Sequence, residues 1–147
     1  MDAQFDFLTA FELLEHLHNP MLFLERAYGL LKPGGRLYLT TLNGMGFDIL
    51  VLWDHSKSVY PPHHLNFFNT QSIIKCAEIV GFAPISVETP GKLDWDIVEG
   101  MIKHENVICE RLWNYFAQDG SDSGKVNLQK WIVENRLSSH MSVLLQK

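Results

Sequence analysis

Cysteine is scarce: Cys76 and Cys109 are the only two in 147 residues, far apart and at neither zinc-finger nor thioredoxin spacing. A disulfide framework is therefore not expected, and two free thiols point to a reducing, cytoplasmic compartment. Basic residues are also few, 12 against 17 acidic ones for a net charge of −5, and they are scattered. That argues against a nucleic-acid partner, which would need a concentrated basic footprint. Long apolar runs are missing as well. The longest, Ile49 to Trp53, is much too short to span a bilayer, and the N-terminus has no signal-peptide organisation, so membrane insertion is not expected. Low-complexity tracts and internal repeats are absent. With 46% hydrophobic and 12% aromatic residues the chain has enough apolar material for one core.

What is present is organised around Phe5 to Asn43, which reads as a βαβ unit. Phe5, Phe7, Leu8, Ala10 and Phe11 form a short, nearly continuous apolar run of the kind a strand covered on both faces requires. Asn19 is placed to cap a helix that Pro20 begins, and Phe23, Leu24, Ala27, Tyr28, Leu30 and Leu31 make a broad apolar stripe. Lys32, Pro33, Gly34 and Gly35 stop that helix, and Leu37 to Thr41 read as the second, parallel strand. In open sheets of this type ligands sit beyond the carboxyl ends of the strands, which directs attention to Ala10, Phe11 and Glu12 and to Thr41, Leu42 and Asn43.

Further along, Gly44 to His63 is loop-like with an apolar insert, Phe47 to Trp53, that fits either a lid or a packed turn. Pro61 and Pro62 should keep the chain extended before His63 and His64. Asn69 or Thr70 caps a helix carrying Ile73, Ile74, Ala77 and Val80 that ends at Gly81, and Ala83 to Glu88 is a strand. From Lys92 the pattern is helical. A flexible loop is expected over Gln118 to Lys125 and a helix over Val126 to Leu137, with Ser139 to Gln146 as a final strand. The aromatic residues of this insertion suit an acceptor pocket or, more ordinarily, a core.

The segments FDFLTAFELLEHL, LLKPGGRLYLTTLN and PPHHLNFFNTQSIIKCAEIVGF, in that order and spacing, resemble the second half of class I S-adenosylmethionine-dependent methyltransferases, nearest to the ubiquinone-biosynthesis O-methyltransferases. The resemblance covers most of Phe5 to Pro90, and Ser138 to Lys147 looks like the family's last strand. It implies an α/β fold, the C-terminal half of a Rossmann-like sheet of about four strands. These would be mostly parallel with an antiparallel last strand, with helices on both faces and a helical insertion before that strand. Residues 1–147 would be one partial methyltransferase domain: 5–90 its core, 92–137 the insertion and 138–147 the final strand. The family's glycine-rich cofactor loop would lie upstream of Phe5, so the chain is expected to be part of a longer enzyme. Gly44-Met45-Gly46 follows the wrong strand to replace that loop.

By the same resemblance the cofactor is S-adenosylmethionine, held here by Ala10 and Phe11, and the partner is a small-molecule acceptor, methylated at oxygen. His64 or His63 would serve as base or acceptor ligand. Glu12, Glu15 and His16 match an E-x-x-E-H motif that in some relatives binds a divalent metal (magnesium, manganese or zinc), with His63 or His64 completing the set. If the segment turns helically, Glu12 faces Glu15 and His16. The competing expectation is a solvated helix start whose acids suit the helix dipole. A zinc-hydrolase motif fails on spacing, because His16 and His18 are two residues apart. An alternative to catalysis is an inactive half-domain that acts in self-association. Truncation would leave Phe5 to Ala10 as an apolar edge with little protection, so a homodimer or larger assembly through that strand is expected.

Overall fold

The computed structural model describes residues 4–147. Its sheet has four strands in the order β1-β2-β4-β3: β1 Phe5–Phe11, β2 Leu31–Leu42, β3 Ala83–Glu88 and β4 His140–Gln146. β1 and β2 are parallel, while β4 runs antiparallel to both β2 and β3. Three strands thus point one way and the last runs against them, as the resemblance implies.

Six helices accompany the sheet: α1 Pro20–Leu30, α2 Phe47–Leu52, α3 Thr70–Val80, α4 Asp94–His104, α5 Arg111–Asp119 and α6 Asp122–Glu134. α1 begins where the sequence marks it, with the Asn19 side chain accepting the Leu22 N–H at 3.0 Å. α3 carries a reciprocal cap between Asn69 and Ser72 and stops at Gly81, whose φ of +110° a side chain would strain. Leu24 and Ala27 of α1 and Ile73 and Ala77 of α3 pack on Ala10, Leu37, Leu39, Val143 and Leu145, forming the main core on one face of the sheet.

The other side of β1 is different. Phe5, Phe7 and Phe11 alternate outward and are 42%, 53% and 61% exposed, so the strand is buried on one face only. The apolar run is of the kind a strand covered on both faces requires, and its exposed aromatic face agrees with the expectation that this strand has little protection here. An unbroken apolar run does not reveal which of its residues find a neighbour.

The insertion builds a second core. Phe47 and Leu52 of α2 join Trp95, Val98 and Met101 of α4, Ala117 of α5 and Ile132 of α6. The aromatic residues there pack on each other, with Trp95 and Phe116 ring centroids 4.9 Å apart, and the insert from Phe47 is a packed element, not a free lid. The expected loop over Gln118 to Lys125 shrinks to a break at Gly120 and Ser121. The Ser121 hydroxyl accepts the Gly124 N–H and so starts α6 at Asp122.

α6 is fastened to α4 by Glu99, which takes hydrogen bonds from Lys103 (2.7 Å) and Lys125 (2.8 Å). Burial alone would raise the Glu99 carboxyl, but the two lysines prevail and hold it below the usual carboxylate range. A depressed folded-state pKa gives stability that is present above the unfolded value and is lost as pH falls through the folded one. The denaturant midpoints of the unaltered chain and of Glu99→Gln should therefore differ at neutral pH and converge on acidification.

Candidate active site at the end of the first strand

β1 delivers Ala10 and Phe11 to its carboxyl end, where Ala10 is buried and Phe11 exposed. The Phe11 ring meets Tyr38 of β2 in a T-shaped contact at 6.1 Å and stays largely exposed. The chain then leaves the strand at Glu12 with a φ of +46°, a conformation uncommon outside glycine, while the Glu12 N–H still reaches the Thr40 carbonyl at 2.9 Å.

This backbone turn separates the acidic cluster. Glu12 accepts from His140 Nδ1 at 3.1 Å at the surface. Glu15, only 1% exposed, accepts the Thr41 hydroxyl at 2.7 Å. His16 lies in a single 3-10 turn, Leu14–His16, and its Nδ1 bonds the His63 carbonyl at 2.7 Å. The helical turn that would align Glu12 with Glu15 and His16 does not form, because a left-handed residue after the strand breaks the spacing. Among the described residues no three His, Cys, Asp or Glu side chains are gathered to hold a metal ion. As placed, the E-x-x-E-H residues do not fit a shared ion.

The histidines of the 63–64 pair are brought to this turn by the following loop. Asn66 Nδ2 donates to the Leu14 and Leu17 carbonyls (3.0 and 2.6 Å), and the Leu65 and Asn66 N–H groups both reach the Glu15 carbonyl. The loop does not run extended after the prolines: the His63 and His64 N–H groups both bond the Tyr60 carbonyl, which turns the chain there. His63 is exposed and stacked on Tyr60 at 5.0 Å. His64 is half-buried, its ring 4.9 Å from that of His16, and its Nδ1 bonds the Ser58 carbonyl at 2.7 Å.

A carbonyl oxygen only accepts, so Nδ1 carries the proton in both His16 and His64. In the neutral rings Nε2 is then the basic nitrogen. Sequence reasoning found the histidines and pointed to Thr41 at the end of β2, but missed Ser58 and Asn66, whose roles rest on partners outside their own turn.

A strand, crossover helix and parallel strand, with polar groups gathered beyond the strand ends, define a Rossmann-like α/β class. Within that class the chain belongs to the methyltransferase domain family, whose pattern matches residues 1–87. Among curated relatives, the ubiquinone biosynthesis O-methyltransferase of Coxiella burnetii is 46% identical over 43 residues, 29% of this chain and 18% of the relative. Among solved structures, a Thermotoga maritima S-adenosylmethionine-dependent methyltransferase described as a possible histamine N-methyltransferase superposes with a TM-score of 0.59 at 18% identity. That superposition covers 99% of this chain and 57% of the other. A methyltransferase of the same cofactor dependence from Archaeoglobus fulgidus gives 0.58 at 16% identity, covering 99% and 61%. The chain thus spans less than two thirds of each of these relatives, and the structural likenesses establish the fold.

Proposed function

We propose that this chain contributes to methyl transfer from S-adenosylmethionine to a hydroxyl group of a small molecule, with Ala10 and Phe11 on the cofactor side and His64 as the base. The observation that carries the proposal is an exposed aromatic ring at the end of β1 together with a half-buried histidine, on the loop bonded to the turn that follows β1, whose Nδ1 is committed to a carbonyl. The exposed Phe11 ring and the small, buried Ala10 behind it fit a flat adenosyl group. The name of the Coxiella burnetii relative favours oxygen as the acceptor atom. When bound, S-adenosylmethionine supplies a methyl group on positively charged sulfur, already activated toward a nucleophile. The residues of this chain have two tasks: to hold the reactants in line and to take the acceptor proton onto His64 Nε2. His63, exposed and stacked on Tyr60, is assigned to acceptor contact. A divalent ion on Glu12, Glu15 and His16 is not part of this reading, because their side chains serve three separate partners.

Self-association through the open edge of β1 forms the second part of the proposal. It rests on the exposed Phe5 and Phe7, and on β1 pairing with β2 alone among the described residues.

Titration calorimetry with S-adenosylmethionine tests the cofactor side. Phe11→Ala should raise the dissociation constant by about three- to tenfold, the worth of one aromatic contact. Unchanged affinity would remove Phe11 from the site.

A further inference from the structure

Asp48 sits in the first turn of α2, only 2% exposed, among apolar neighbours of the second core. Its Oδ2 accepts two hydroxyls, those of Ser56 (2.6 Å) and Ser58 (2.7 Å), while its Oδ1 is buried with no protein partner. The Ser58 N–H donates to the Ser56 hydroxyl oxygen at 3.1 Å, so the carboxylate grips both ends of a tight backbone turn. The carbonyl of that same Ser58 accepts the Nδ1–H of His64. A buried carboxylate is costly to desolvate and is retained where its hydrogen bonds compensate, and charge-assisted bonds of this length are the strong ones. Three links therefore run in series: carboxylate to hydroxyl, hydroxyl-bearing residue to its own carbonyl, carbonyl to imidazole.

We infer that Asp48 is a positioning residue that sets the tautomer of His64 by fixing the Ser58 carbonyl. The inference rests on the reading of His64 as the base, since only that role gives the tautomer a chemical consequence. With Nδ1–H anchored on Ser58, the lone pair stays on Nε2. Without the anchor, the ring relaxes toward the Nε2–H form that histidine favours in water, and a base with its proton already on Nε2 cannot accept another there. Asp48 acts from the helix side of the loop, through Ser56 and Ser58, and makes no hydrogen bond to His64 itself. His16, whose ring lies 4.9 Å from that of His64, is held on a different carbonyl, that of His63.

The experiment is long-range 1H–15N correlation NMR on the full chain with 15N-labelled histidine, which assigns the protonated nitrogen of each ring without any catalysis. The unaltered chain should show His64 as Nδ1–H. Asp48→Ala should lose Nδ1–H as the major form, while Asp48→Asn, which keeps one acceptor oxygen in the same volume, should retain it. His16 should stay Nδ1–H in all three. Should Asp48→Ala fail to fold by circular dichroism, Ser58→Ala takes its place, and an Nε2–H population must appear there. A His64 that remains wholly Nδ1–H in a folded Asp48→Ala or Ser58→Ala chain overturns the inference, as does an Nε2–H ring in the unaltered protein. The catalytic reading fails separately. If His64→Gln left methyl transfer intact, His64 would not be the base even with the tautomer result in hand.

Discussion

A Thr9→Pro variant is expected to run as a monomer under conditions in which the unaltered chain self-associates. Backbone bonding along β1 follows a two-residue period: the N–H of Gln4 reaches Leu30 and that of Glu12 reaches Thr40, so the even-numbered residues face β2. Thr9 accordingly presents its N–H to the open edge. Proline there removes no bond to β2 but takes away a donor that a second strand would need, and proline is tolerated at edge positions of this kind. Phe5 and Phe7 lie on the exposed face of the same strand, and their burial supplies a driving force of about 1.5–3 kcal/mol per fully covered side chain. Leu8 would be the wrong probe. It packs against the main core, and a charge there would unfold the sheet before it reported on association. Light scattering after size exclusion, with circular dichroism to verify folding, is the measurement. A strictly monomeric unaltered chain at high concentration would refute self-association through this edge.

Methyl transfer to a hydroxyl acceptor should fall by about 10²- to 10⁴-fold in His64→Gln at neutral pH, the usual worth of a positioned base. The loss should shrink as pH rises toward the acceptor's own pKa, because an already ionised oxygen needs no base. Affinity for S-adenosylmethionine should stay as it was, since Phe11 and Ala10 are untouched. Radiolabelled methyl transfer against pH in the active enzyme would check it; a pH-independent loss would mark His64 as a scaffold residue instead. His63→Gln should cost far less, because that ring is exposed and held only by its stack on Tyr60.

Local chemistry made several elements readable in advance. Asn19 with Pro20, and Asn69 with Ser72, mark helix starts through side chains that satisfy N–H groups a few residues away. Gly81 marks a helix end through its backbone freedom. Such signals travel no more than one turn along the chain, and a sequence displays them directly. The serine- and glycine-rich stretch after Gln118 has the composition of a loop, yet its first serine, Ser121, caps α6.

The amino-acid sequence by itself determined the βαβ unit, the direction of the last strand, the helical insertion, and the segments that resemble a methyltransferase. The βαβ unit and the helices from Lys92 onward follow from periodicity and caps, whereas the direction of the last strand and the place of the insertion before it are what the resemblance implies. Tertiary structure alone decided which residues of β1 stay open, that Glu12, Glu15 and His16 go to three different partners, and that Asp48, Ser58 and His64 are linked in series by hydrogen bonds. The physical reason is range. A hydrogen bond or a packed face is fixed by which distant groups the folded backbone brings within about 3–4 Å, and residues such as Glu12 and His140, or Glu15 and Thr41, carry no mark in the sequence of the partner they will meet.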